Sequence, residues 1–449
     1  MLRFQPVMLN LIQHPVVQRC TMGFRIGSGM TSYLLTCDSL IFMVAYIIVV
    51  NPVFLVQAGI PQEAAIISTV FAAAFSTIIV GLRANLPFVI IPGMGLNAFF
   101  LYHLVGDIGL TWQTALGVNF LAGLGYYLLS VSGISFKIAM AVPQNLKAAI
   151  VVGIGWFIAF LGIKNAGWIV FDGVDAVKLG SIVVPQVWLS LLGLLLSAVL
   201  MICRVTGALV ISMITITALS MLTGAAPVPQ NWESIISDSV NFSFSSFFQF
   251  DVLSALNGKC LLAVFVFLLA ELFDTIGTFL GMMPQLEFKK SEEETAIRRG
   301  ISVDAFCTMM SAAFGCSTDI TAAESAAGIA VGGRTGLTAL TISFCFLFML
   351  LFMPVVGFIP AYATSPALII VGMLMMSAVK QIDFKDLRNA IPAYILIIIM
   401  FFGQNVSTGF AFGFISYVLI NFFSGRRKEI SPAMWIISAA FLCSLAMGA

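Results

Sequence analysis

The chain has 449 residues, 60% of them hydrophobic and 9% charged, with a mean hydropathy of +1.06. A soluble domain carries about 25% charged residues, so a water-soluble globule is excluded. The net charge of +1 provides no basic field for nucleic acid. Eight Cys without a CxxC pair and only two His argue against a zinc site or a disulfide framework. No metal and no cofactor are expected.

The apolar residues fall into segments near the length of a membrane crossing. In chain order these are 33–51, 63–82, 86–104, 111–132, 146–166, 184–202 and 205–223. A polar stretch, 224–258, follows. Then come 260–283, 301–314, 321–333, 336–357, 361–379, 388–403 and 405–424, with an extra segment at 432–448. The third of each set is broken, by Pro92, Gly93 and Gly95 in one half and by Gly328, Gly332 and Gly333 in the other. Non-helical backbone at membrane depth persists only where protein or a wet cavity satisfies it. Matching interrupted segments in two halves point to a transporter binding site. Seven crossings before the polar stretch and seven after it imply that the second set starts from the opposite side, an inverted repeat.

Lys and Arg test the count. With the N-terminus inside and fourteen crossings to residue 424, only Lys164, Lys178 and Lys259 fall outside. Every other Lys and Arg falls inside, as the positive-inside rule requires. The expected organisation is an N-terminal tail (1–32), a first repeat (33–223), an extracytoplasmic connector (224–258), a second repeat (259–424) and a C-terminal tail (425–449). The extra apolar segment in that tail either crosses again or lies at the interface.

Carboxylates at membrane depth are costly and mark function by default. The candidates are Asp38, Glu271, Asp274, Asp304, Asp319 and Glu324. Glu271, Asp274, Thr275 and Thr278 share one helix face by spacing. Asp38 and Asp304 stand nearer segment ends, where snorkelling or capping competes with a functional role. Glu324 opens a broken helix after Ser317-Thr318-Asp319-Ile320-Thr321, and Thr321 or Ser317 is placed to cap that helix. Asn97 holds the comparable place in the first half. An amide facing a carboxylate suits a neutral, planar, hydrogen-bonding solute. The two helix-8 carboxylates, one turn apart, resist joint ionisation and so suit proton uptake.

The runs PGMGLNAFF (92–100), ELFDTIGT (271–278) and ESAAGIAVGGRTGLTAL (324–340) resemble the azaguanine-type purine permeases, a branch of the nucleobase–cation symporter-2 group. WQTALGVNFLAG (112–123), AVPQNLKAAIVVGIG (141–155) and YATSPALIIVGMLM (362–375) are similar to the same family. The resemblance implies an all-α polytopic membrane protein with a fourteen-helix, seven-plus-seven inverted repeat. Helices 1–4 and 8–11 would form a core, helices 5–7 and 12–14 a gate, and short strands would precede half-helices 3 and 10. It further implies uptake of a purine base (adenine, guanine or hypoxanthine) with a proton across the inner membrane of a bacterium. Substrate contacts would come from Asn97, Asp274 and Glu324. Glu271, Asp274 and Glu324 are the proton-coupling candidates, with Thr278, Asp319 and Ser325 in support. The resemblance also allows a homodimer.

The sequence departs from the family in two places. Ser39-Leu40-Ile41-Phe42-Met43-Val44-Ala45-Tyr46 replaces a Thr-rich start to the first helix. Asp319 and Ala322 stand where relatives have Thr or Ser and an aromatic ring. The alternatives are a transporter of the same fold for another nucleobase (xanthine or uracil), and a membrane-embedded enzyme or receptor. The last would need a reactive constellation or an attached soluble domain, and the sequence shows neither.

Overall fold

The computed structural model describes residues 44–172, 176–203, 205–227, 243–286, 288, 290–403 and 405–446. Asp38, the tail 1–32, most of the altered run at 39–46 and the centre of the connector lie outside the described residues.

The first repeat contains α1 (Ile47–Gln57), α2 (Gln62–Ile79), β1 (Ile90–Pro92), α3 (Met94–Ala98), α4 (Trp112–Val131), α5 (Gln144–Asn165), α6 (Pro185–Ile202) and α7 (Ala208–Leu222). The second contains α8 (Gly258–Met282), α9 (Lys290–Ala313), β4 (Asp319–Thr321), α10 (Ser325–Val331), α11 (Gly336–Phe348), α12 (Ala361–Met375), α13 (Leu387–Phe402) and α14 (Val406–Phe423), and α15 (Pro432–Ala446) ends the described chain. The two broken segments are each a short strand followed by a short helix. In the first half a π-helix, Phe99–Asp107, carries α3 onward. The strand-then-half-helix arrangement expected from the resemblance is therefore present in both repeats.

One helix departs from the expected segments, and two features add to them. The ninth helix begins at Lys290 rather than near 301. Its first turns carry Glu293, Glu294, Arg298 and Arg299, which hide a helix from a hydropathy count. Asp304, expected near a segment end, is thus well inside a helix and wholly buried. A β-hairpin, β2 (Ile169–Asp172) with β3 (Ala176–Leu179), follows α5 in the stretch between the fifth and sixth segments. α15 has 15 residues, about 22 Å of helix, the same length as α7 and α12. It lies along α14, where Ser438 Oγ donates to the Phe414 carbonyl at 3.1 Å.

β1 and β4 pair antiparallel, Ile90 with Thr321, Ile91 with Ile320 and Pro92 with Asp319. Gly93 N–H to the Thr318 carbonyl (3.0 Å) and Ala322 N–H to the Val89 carbonyl (2.8 Å) extend the ladder evenly at both ends. Both edges of this two-stranded sheet would be orphaned in an apolar interior, and hydroxyls cover them. Thr77 Oγ1 donates to the Ile90 carbonyl (3.0 Å) and accepts from its N–H (3.1 Å). Ser325 Oγ accepts from Val89 N–H (3.0 Å), and Thr308 Oγ1 donates to the Asp319 carbonyl (2.8 Å).

The helices sort into two groups by their packing. α5 packs most extensively on α12 and α13, and α6 on α7 and α12. In the other group α4 packs on α9 and α8, and α2 on α11, α1 and α9. These are the gate and the core of the expected fold. Glycines set the closest approaches. A Cβ on Gly155 would meet the Gly372 carbonyl at 2.8 Å, and one on Gly372 would meet the Gly155 carbonyl at 2.4 Å. Gly81, in the π-helical turn Val80–Ala84 that continues α2, and Gly336 of α11 face each other in the same reciprocal way. Asn85, in the left-handed conformation with φ 53°, ends that π-helical turn and accepts from Gly336 N–H at 3.0 Å. The described end of the connector folds back on the core: Phe248 N–H donates to the Ala313 carbonyl (2.7 Å), and Asp251 N–H to that of Gln113 (2.9 Å).

Gly336→Val should cost roughly 1–3 kcal/mol through overpacking, because its Cβ would sit 2.0 Å from the Gly81 carbonyl. Gly281→Ala, which meets nothing within 4 Å, should stay within about 0.5 kcal/mol of the parent. Thermal melts of the two purified variants in one detergent check the contrast.

Candidate functional site

Glu324 is the residue immediately before α10 and makes no side-chain cap bond to that helix. Its Oε1 instead accepts from the Tyr46 hydroxyl at 3.1 Å, which ties the second half-helix to the segment that enters α1. The expected caps are not formed. Thr321 Oγ1 donates to Asp304 Oδ1 at 2.6 Å, and Ser317 Oγ donates to Asn97 Oδ1. Both hydroxyls donate inside the core.

Asn97 is buried on α3. Its Nδ2 donates to Asn51 Oδ1 at 2.5 Å while its Oδ1 accepts from Ser317. Asn51 Nδ2 in turn donates to Thr69 Oγ1 at 2.7 Å. The amide thus knits α1, α2, α3 and the approach to β4 together rather than bonding Glu324. One N–H and one lone pair of Asn97 remain for another partner. Asn51 was not singled out from the sequence, although an Asn-Pro pair inside an apolar helix is a legible polar anomaly.

The carboxylates form two tiers. Glu271, Asp304 and Asp319 are fully buried, whereas Asp274 and Glu324 are half-buried. Asp304 accepts from Thr275 Oγ1 (2.5 Å) and Thr321 Oγ1 (2.6 Å), clamping α8, α9 and β4. This is neither snorkelling nor capping. Glu271 Oε1 accepts from Thr318, and Asp319 Oδ2 accepts from Ser76 at 2.7 Å. Glu271 Oε2 and Asp319 Oδ1 have no protein partner. Asp274 makes no side-chain hydrogen bond among the described residues.

The expected helix-8 stripe therefore splits, with Glu271 and Thr275 turned into the core and Asp274 and Thr278 toward the less enclosed side. The Thr278 hydroxyl is taken by the Asp274 carbonyl of its own helix at 2.9 Å. Ser325 serves the β1 edge. No Lys or Arg is buried beside the five carboxylates among the described residues. Opposite them, α3 approaches the gate closely: a Cβ on Gly95 would lie 2.2 Å from Ile154 of α5. Only glycine fits there.

The two tiers should respond differently to substitution. Asp304→Ala strands two buried Thr hydroxyls at roughly 1–3 kcal/mol each and should lower the melting temperature markedly. Asp274→Asn should melt within about 0.5 kcal/mol of the parent. Melts of both variants in the absence of any base separate a structural carboxylate from one with no structural bond.

The comparisons agree with this architecture. A family profile described as "Permease family" matches residues 31–412. The chain is 37% identical over 440 residues to the guanine/hypoxanthine permease PbuO of Bacillus subtilis, covering 96% of this chain and 99% of that protein. It is 32% identical to the adenine permease AdeP of Escherichia coli, covering 89% of each. Among solved structures, the transmembrane domain of a cyanobacterium bicarbonate transporter, BicA, superposes with a TM-score of 0.56 at 16% identity, over 82% of this chain and 95% of that one. That likeness carries the seven-plus-seven inverted-repeat fold alone. With the motifs, the fold and these relatives in agreement, the chain is a multi-pass membrane protein and belongs to the permease family, in its nucleobase–cation symporter-2 group, a family of transporters rather than enzymes.

Proposed function

We propose that the protein imports purine nucleobases by proton symport, with the core moving against the gate. The observation that carries this reading is the cluster of five carboxylates with no buried Lys or Arg among the described residues. Five ionised carboxylates in a water-poor core without a countercharge are not sustainable, so the cluster holds protons. Asp274 and Glu324, the two less enclosed members, are placed to accept N–H bonds from a planar base. Asn97, with one donor and one acceptor to spare, orients it. The three sealed carboxyls beneath sense the charge of the outer pair and share its protons. Loading a proton from the outside readies Glu324 and Asp274 for a neutral base. Rearrangement against α5 and α12 then exposes both to the inside, where the proton leaves.

The names of PbuO and AdeP support guanine, hypoxanthine or adenine as the cargo. The distribution of Lys and Arg supports an N-terminus inside the cell, with 224–258 outside.

In proteoliposomes with an imposed pH gradient and no sodium, labelled hypoxanthine and adenine should accumulate, and a protonophore should collapse the accumulation. Accumulation that requires sodium or ignores the protonophore would overturn proton coupling. Glu324→Gln replaces an acceptor with a donor; a charged hydrogen bond is worth about 1.5–3 kcal/mol, so base affinity should fall about 10- to 150-fold with the melting temperature retained. Isothermal titration of the purified variant checks this, and unchanged affinity would remove Glu324 from the site.

A further inference from the structure

His103 sits in the π-helix that continues α3, 6% exposed. Its Nδ1 meets two groups. Asn405 Nδ2, at the start of α14, lies 2.9 Å away, and Asp107 Oδ2 lies 3.3 Å away. The first contact joins a core segment to a gate helix; the second stays within the core. One ring nitrogen cannot serve both in the same way. An amide N–H donates only to an unprotonated Nδ1, whereas a carboxylate needs Nδ1–H. The orientation of the Asn405 amide is fixed independently, because its Oδ1 accepts from Thr408 N–H at 3.3 Å and caps α14. Asn405 therefore presents its N–H2 to the ring, and the contact as seen requires the neutral imidazole.

We propose that His103 and Asn405 form a protonation-released latch between core and gate on the side where the proton is taken up, a positioning device for transport that rests on the proton-symport reading. Protonation at Nδ1 sets N–H against N–H2, which breaks the tie to α14, and hands the imidazolium to Asp107. That carboxylate is 60% exposed and so stands open to incoming protons. The released core is then free to part from the gate on that face.

The surroundings leave the switch to this pair. Asp107 is the charged group that acts on His103. α5 brings Lys164, whose Nζ lies 5.5 Å from the Tyr102 ring centre. α1 carries no Asp, Glu, Lys, Arg or His, and α4 brings only Tyr126 and Tyr127. Tyr127 is turned against Phe306, and Tyr126 is within the field of Asp304, Glu271 and Asp274. α8 reaches this stretch through Phe267 against Phe99, at 5.4 Å between ring centres, with Glu271 one turn further on. α14 brings Asn405 and no charge.

The test is hydrogen exchange of the full-length protein in nanodiscs between pH 8 and 5, corrected for intrinsic exchange, read on the amides of 99–107 and 406–410. Opening linked to one proton rises by up to about tenfold per pH unit below the titration of the imidazole, so wild-type protection should fall on acidification. His103→Gln keeps an acceptor for Asn405 without a titrating group and should hold protection level with pH. Asn405→Asp keeps the α14 cap and accepts from Nδ1–H, so its protection should be greater at the pH where the imidazole is charged, the reverse of wild type. A wild type that is level with pH, a His103→Gln profile that still falls, or an Asn405→Asp profile that falls like wild type would each overturn the latch. Proton-driven accumulation in proteoliposomes, measured on the same preparations, separates the two readings: its loss with the exchange pattern intact rejects symport and leaves the latch standing.

Discussion

The short antiparallel pairing of β1 with β4 is the constraint on which the rest of the structure depends. Two chain segments stop being helical in the interior of a membrane protein, where every unpaired N–H and C=O costs several kcal/mol. They are tolerated because each satisfies the other, and because Thr77, Ser325 and Thr308 cover the edges with hydroxyls. Once the strands are fixed, α3 and α10 must start from the same place in the core. The even register, Ile91 on Ile320 at its centre, is what two oppositely oriented copies of one unit would produce.

Glycine-mediated approach does the corresponding work between helices. Bilayers supply little hydrophobic force for helix association, so close contact and small residues take its place. The reciprocal pairs Gly155 with Gly372 and Gly81 with Gly336 bring backbones together at one position inside the gate and one inside the core. Gly95 against Ile154 joins the two groups. A contact that relies on the absence of one side chain can slide or part without stranding a polar group, unlike the hydroxyl-lined sheet beside it. The core is thus tied together by hydrogen bonds, whereas its border with the gate is largely apolar, with His103 and Asn405 as a polar exception.

The division of the carboxylates follows from the same arrangement. Asp304 is held by two Thr hydroxyls because it must bridge α8, α9 and β4, and it acts as part of the scaffold. Glu271 and Asp319 each keep one oxygen without a protein partner, so they are buried but incompletely satisfied. Asp274 and Glu324 are the least enclosed. The same carboxyl chemistry therefore spans a range from fully bonded scaffold to half-buried and unbonded within one cluster, and position rather than residue type decides which.

Much of this was legible in the sequence, and for identifiable reasons. Hydropathy located the crossings because lipid demands continuous apolar runs. The Pro-Gly and Gly-rich breaks located the half-helices because an interrupted helix needs special backbone. The motifs around Asn97, Asp274 and Glu324 located the membrane-depth polar residues. Charged residues in the first turns hid the true start of α9, since a hydropathy count cannot tell a helix that projects from the membrane from a loop, and Asp304 was misplaced as a result. The partners of each polar group were also out of reach. Tyr46 meets Glu324 across 278 residues and Asn405 meets His103 across 302. The sequence by itself determined how many times the chain crosses, where it breaks and which residues carry cost. Only the tertiary structure decided which carboxylate is scaffold, which hydroxyl caps a strand edge rather than a helix, and where core and gate touch, because those outcomes depend on side chains brought together from opposite repeats.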